Sequence, residues 1–314
     1  MRKMPLVDTE TDALDHFSMT LDTSAEAMAA VGESVNWRPM QGSPAHGEAQ
    51  EMADLGYDPN VLRSTWATIL DLVRASIEHA QSIAVLIRTR HLLTVPMIAR
   101  QVLEHAHAAC WILEPTTKST GVEADRVSAL QRAARGQMFD LNGFHHRLNA
   151  LEKLRKGKAT SAAKPTHIAA KAEFEAQKHA VIAVFGELTR GEGERREWLV
   201  AGEKFPSWTT MSEQAMTTMT LTSGLGVYDL LSGYTHPATW AIRSQEVVEP
   251  TADGGVTLAW RNDVEFIGKV SAGTLSSLFI AWGHLVSYHG WDETTLVAVA
   301  DIINGAWPNL IKKT

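Results

Sequence analysis

The stretch LLTVPMIARQVLEHAHAACWIL, residues 92–113, decides the fold. It is an apolar run broken only by Thr94, Arg100, Gln101, Glu104, His105 and His107, and it closes on Glu114-Pro115. The spacing predicts a central helix with Pro96 in its first turn. At about 100° per residue, Glu104 lies about 40° from Arg100, and His107 and Trp111 lie about 20° from it. Arg100, Glu104 and His107 therefore share one face, with Leu93 and Met97 beside them. His105 sits about 140° from Arg100 and points elsewhere.

Outward from this helix the chain reads as more helices. Asp58-Pro59-Asn60 opens one that runs to about residue 89, with Trp66, Ile69, Leu70, Val73, Ile77, Ala80, Ala84 and Ile87 in one stripe. Asp71, Arg74 and Glu78 flank it at ion-pair spacing. Residues 8–31 predict a first helix turned inward on Leu14, Phe17, Leu21 and Met28. Residues 32–60, rich in Gly, Pro, Ser and Asn, predict an irregular arm. Further helices are expected over 121–154, from Pro165 to Gly191, over 206–235, and over 262–289 and 292–311. Asp292 or Thr294 caps the last of these. Gln245–Val248 and Val256–Trp260, around Ala252-Asp253-Gly254-Gly255, predict the only hairpin.

The expected fold is all-α: a helical bundle with a small β-hairpin insert near 245–260. Residues 1–57 form an N-terminal helix and arm, and 58–314 a single bundle domain.

Composition excludes several classes. The 314 residues carry 29 basic and 36 acidic side chains, a net charge of -7, so the whole surface is not built for nucleic acid. The single cysteine, Cys110, excludes an internal disulfide framework and a Cys-rich zinc site. Met1-Arg2-Lys3-Met4-Pro5 leads into acidic residues, not the apolar core of a signal peptide. No window is expected to reach the roughly 18 apolar residues that span a bilayer. A cytoplasmic protein that stays out of the membrane is expected.

Two clusters carry polar chemistry. Arg100 and Glu104 predict an i,i+4 ion pair, with His107 completing a buried network that is either a core device or a site. Glu104-x-x-His107 has the spacing of carboxylate-bridged di-iron helices, but no second copy occurs, so no metal and no cofactor are expected. The second cluster is Tyr228-Asp229-Leu230-Leu231-Ser232-Gly233-Tyr234-Thr235-His236-Pro237. Ser232 and His236 are one turn apart there, and Pro237 disfavours helical geometry at His236. One basic strip also stands out. Nine basic residues between Arg126 and Lys164 face only two acids, leaving 20 basic and 34 acidic residues elsewhere. Such a strip suits a phosphate backbone such as RNA.

Arg100-x-x-Leu103-Glu104 running into Trp111-Ile112-Leu113-Glu114-Pro115, with Tyr228-x-x-Leu231-Ser232-x-x-x-His236 later, resembles a group of uncharacterised actinobacterial proteins. The resemblance spans about residues 60–290. It implies a helical fold, no known activity, and a network joining Arg100 and Glu104 to Ser232 and His236. Arg100-Gln101-Val102-Leu103-Glu104-His105 is also similar to the Arg-to-His motif of HEPN domains. That similarity implies metal-independent RNA cleavage, with His105 as acid or base and Arg100 stabilising the phosphorane charge. The two side chains reach one phosphate only across a helix edge or the seam of a homodimer. The opposing expectation is a non-enzymatic small-ligand-binding or assembly protein.

Overall fold

The computed structural model describes residues 9–113, 129–156, 163–186, 188–190, 198–201, 203–218, 228, 231–232, 234, 246–250, 256–260 and 264–308. Among these, the regular structure is helical except for two small antiparallel sheets. The all-α bundle with a hairpin is what the helical and period-two patterns predict.

Helix α1 (Thr9–Ser34) buries Leu14, Leu21 and Met28. Helix α2 (Pro44–Asp54) corrects the expected irregular arm. The Ser43 hydroxyl accepts the amide of His46 at 3.3 Å, and Pro44 occupies the first turn. This is a capped start hidden inside a Gly- and Pro-rich stretch. Helix α3 (Asn60–Arg88) buries Ile69, Val73, Ile77, Ala80, Ala84 and Ile87, six of the eight residues of the predicted stripe. The ladder of Asp71, Arg74 and Glu78 does not form among the described residues; Arg74 lies over the Trp37 ring, 5.6 Å from its centroid.

Helix α4 (Val95–Leu113) follows a 3₁₀ turn at Leu92–Thr94. It packs against α3 and against a later helix, Val264–His289, and buries thirteen of its nineteen residues. Helix α5 (Ala129–Lys156) packs on α3 and on α6 (Ala163–Phe185). Past α6, where a helix to Gly191 was expected, the chain makes a three-stranded sheet of β1 (Thr189–Arg190), β2 (Trp198–Val200) and β3 (Glu203–Lys204). Strands this short carry no readable alternation. Helix α7 (Trp208–Thr218) packs on α4. The predicted hairpin is β4 (Glu246–Pro250) paired with β5 (Val256–Trp260), in the register Val248↔Leu258.

Helices α8 (Val264–His289) and α9 (Thr294–Ala306) follow. The Asp292 carboxylate accepts the Thr294 amide at 2.9 Å, but the residue at the cap position is Glu293, whose side chain makes no capping bond. Helix α8 also corrects the sequence reading: it is long and apolar enough to cross a membrane by length and composition. Its apolar window is 61% buried, because it packs against α1, α3 and α4. Its Ser, Thr and Gly residues masked this apolar length in the sequence.

The α3–α5 crossing depends on a missing side chain. A Cβ on Gly136 of α5 would lie 2.5 Å from Thr65 Cγ2 of α3, and closer still to its hydroxyl. The backbones approach too closely for any larger residue. Gly136→Ala should therefore destabilise the fold by about 2 kcal/mol in chemical denaturation, outweighing the ~1 kcal/mol helix-propensity gain. Adding Thr65→Ala should recover part of the loss. A neutral or stabilising Gly136→Ala would show that the crossing is looser than described.

Candidate functional site

Arg100 and Glu104 are one turn apart on α4 and pair as their spacing predicts: Arg100 Nε donates to Glu104 Oε1 at 2.8 Å. Their side chains are only 15% and 14% exposed. The pair needs a further partner to offset desolvation, and Tyr228 supplies it. The phenol donates to Glu104 Oε1 at 3.0 Å and accepts from Arg100 Nη2 at 3.3 Å. The guanidinium also lies over the Tyr228 ring, 5.3 Å from its centroid. The result is a closed triangle of cation, carboxylate and phenol. Burial works against the Arg100 charge, but Tyr228 and Glu104 together outweigh it and raise its pKa. Burial and the Glu104 charge raise the Tyr228 phenol, so it stays protonated and able to donate.

Of the other residues on this face, Leu93 and Met97 are 41% and 42% exposed, whereas Trp111 is buried. The triangle thus sits where α4 passes from the surface into the core.

His107 does not join it. Its side chain is fully buried and lies between two hydroxyls, with Nδ1 3.0 Å from Ser212 Oγ on α7 and Nε2 3.1 Å from Ser277 Oγ on α8. Burial lowers its pKa to about 3, so it is neutral, donating from one nitrogen and accepting at the other. It ties three helices together and does not extend the Arg100 network. His105 faces α3, as its angle predicts. Its ring stacks on His79 at 5.4 Å between centroids and 18° between planes. Its Nδ1 is buried with no hydrogen-bond partner. Burial, reinforced by His79, lowers its pKa. Arg100 and His105 therefore engage different partners and do not converge on one phosphate within this chain.

The end of α4 is held by residues that the sequence places in the basic strip. Arg132 of α5 donates from Nη1 to the carbonyls of Ile112 and Leu113, and Arg135 donates to that of Trp111 at 2.7 Å. These are the carbonyls a helix leaves unpaired at its C-terminus, and cations there also suit the dipole. Both arginines are buried and paired, Arg132 with Glu48 and Arg135 with Glu203, each at 3.0 Å. Arg132 lies 4.4 Å from the centroid of the Tyr288 ring, and the Tyr288 phenol donates to Glu48 at 2.6 Å. This is a second triangle of Arg, Glu and Tyr. Of the remaining strip, Arg147 pairs with Glu173, and Lys153 is exposed. Arg126 lies outside the described residues, as do the side chains of Arg155, Lys156, Lys158 and Lys164.

Ser232 is half-buried one turn beyond Tyr228, and His236 lies outside the described residues. Sequence reasoning missed Tyr228 as the direct partner of Arg100, although it leads the very motif that named Ser232 and His236. It also missed the two buried arginines; their Arg-x-x-Arg spacing amid Ala129, Ala133, Ala134 and Met138 was the available signal. Among the described residues no group of three or more His, Cys, Asp or Glu side chains is arranged to hold a metal ion.

Residues 67–254 match a family of unknown function, DUF5677. The chain belongs to that family. No curated protein and no solved structure matches it. The DUF5677 span runs from α3 to the hairpin and contains Arg100, Glu104, Tyr228, Arg132 and Arg135. Helix α8 lies beyond the matched span, yet supplies Ser277 to His107. The DUF5677 core of this chain is thus completed by a helix outside it.

The buried histidines set a pH dependence. His107 is held near 3 and His289 near 4, both by burial, against an ordinary value near 6.5. Above about pH 6.5 both states are neutral at these sites. As pH falls below that, the unfolded chain takes up protons first, and stability drops by up to about 1.4 kcal/mol per pH unit for each histidine. Asp140, raised by burial to about 6, acts in the opposite sense and offsets part of this. Denaturation from pH 7 to pH 4 should show His107→Asn losing less stability than wild type over that range. Equal losses would mean that His107 is not buried neutral.

Proposed function

We propose that this DUF5677 chain is a non-enzymatic, cytoplasmic binding or assembly protein in which Arg100, Glu104 and Tyr228 act as a structural clamp. The observation that carries this reading is the commitment of Arg100. Its guanidinium is bound to Glu104 and Tyr228 and stacked on the phenol ring. The histidine that an RNase would need beside it is turned to His79. A catalytic arginine must meet charge that develops on a substrate; this one is already neutralised by the protein. Two arginines of the basic strip are likewise spent on the interior. A buried Cys110 that is in no disulfide and the packing of α8 inside the fold favour a reducing compartment and a place away from the bilayer.

The second reading is a HEPN-like RNA-cleaving protein of the actinobacterial group. One observation favours it: His105 is only half-buried, and its Nδ1 takes no hydrogen bond from this chain. On that reading Arg100 of one copy and His105 of another meet across a homodimer seam, with RNA tracking the strip from Arg126 to Lys164.

Incubation of the purified protein with RNA in EDTA separates the two. The clamp reading expects intact RNA with both wild type and Arg100→Ala, and a lowered Tm for Arg100→Ala. Metal-independent cleavage that Arg100→Ala and His105→Ala each abolish would overturn it in favour of the nuclease.

A further inference from the structure

A cleft of about 830 Å³ opens between α2, α3 and the segment joining α1 to α2. It is separate from the Arg100 triangle, and its volume suits a small molecule. One face of α2 contributes His46 and Gln50, one face of α3 contributes Arg63 and Trp66, and the connecting segment contributes Trp37 and Arg38; alanines, prolines and Leu70 fill the rest. No carboxylate is among the lining residues of this cleft, although the chain carries a net charge of -7. Arg63 is engaged only by a neutral group, Asn60 Oδ1 at 3.0 Å. Neither Arg38 nor Arg63 forms an ion pair among the described residues. Asp54 accepts the Gln50 amide and Asp58 accepts the Asn60 backbone amide, each at 2.9 Å. Arg63 stands in the first turn of α3, where the helix dipole adds positive potential.

The aromatic walls are held in place before any ligand arrives. Trp66 Nε1 donates to the Tyr288 phenol at 3.1 Å, and that phenol is fixed in turn by Glu48 and Arg132. Trp37 packs edge-on against Trp282 and Trp291, and Trp291 Nε1 donates to the Arg38 carbonyl at 2.7 Å. Asn36 and Trp37 both have left-handed backbone, φ 49° and 54°. Two such residues in succession cost energy that the surrounding packing must supply. Gly32 makes room: a Cβ there would lie 2.5 Å from the Trp37 ring.

We infer that this cleft binds a small planar aromatic molecule carrying a phosphate or carboxylate, with the ring against Trp66 and the anion between Arg38 and Arg63. Tryptophan faces supply stacking surface, and arginines recognise phosphate and carboxylate by paired N–H donors. His46 adds a third polar group to the lining. The inference deepens the binding-protein reading and rests on it.

Titrations of the whole protein with adenosine monophosphate and with naphthoate, followed by tryptophan fluorescence and calorimetry, test it. Adenosine and inorganic phosphate serve as ring-only and anion-only controls. Saturable binding is expected for at least one of the two aromatic anions, at least tenfold tighter than for either control. Arg38→Gln/Arg63→Gln should weaken it at least tenfold, the loss expected from two charge-assisted contacts. Both arginines are exposed, so the double variant should keep the wild-type Tm. No saturable binding by either probe, equal affinity for adenosine, or an unchanged double variant would overturn the inference. RNA cleavage would overturn the binding-protein reading without bearing on these titrations, so the two failures are distinguishable.

Discussion

Helix α4 buries thirteen of its nineteen residues, and all the polar groups it carries inward, apart from the Nδ1 of His105, find partners inside the protein. That constraint organises the rest of the fold. An unpaired buried polar group costs about 1–3 kcal/mol, and an unpaired charge more. Arg100 and Glu104 meet it with each other and Tyr228. His107 meets it with hydroxyls from α7 and α8. The last carbonyls meet it with Arg132 and Arg135 from α5. Each solution recruits a different part of the chain, so satisfying one helix fixes the placement of three helices and of Tyr228.

The same device appears twice. Arg100, Glu104 and Tyr228 form one triangle; Arg132, Glu48 and Tyr288 form another. In each, a phenol donates to a carboxylate that already pairs with a guanidinium, and the guanidinium lies over the phenol ring. The geometry uses all three groups at once and leaves the carboxylate doubly satisfied. The second triangle joins α2, α5 and α8 and, through Trp66, backs the cleft between α2 and α3. A cleft whose wall is anchored this way loses little side-chain freedom when a ligand enters.

The long helices were legible because burial imposes a 3.6-residue period on them, as in the stripe of α3. The Arg100–Glu104 pair and the turning away of His105 followed from the same period. What sequence order could not show was which groups meet across large separations. Tyr228 stands 124 residues from Glu104, and Ser277 stands 170 from His107. Arg132 and Arg135 read as surface charge because a count of charges carries no information on burial. Helix α2 was obscured because Gly42, Gly47 and Gly56 outweighed the Ser43-Pro44 start signal. The strands of the three-stranded sheet are too short to show a period at all.

The most direct test of the account is the coupling between Arg100 and Tyr228. Wild type, Arg100→Met, Tyr228→Phe and the double variant form a cycle that chemical denaturation at neutral pH can close. If the triangle is a clamp, both single variants destabilise and the coupling energy is about 1 kcal/mol or more, within the range seen for residues in one hydrogen-bonded network. Additive effects within about 0.3 kcal/mol would contradict it, because residues that do not share an interaction are expected to add.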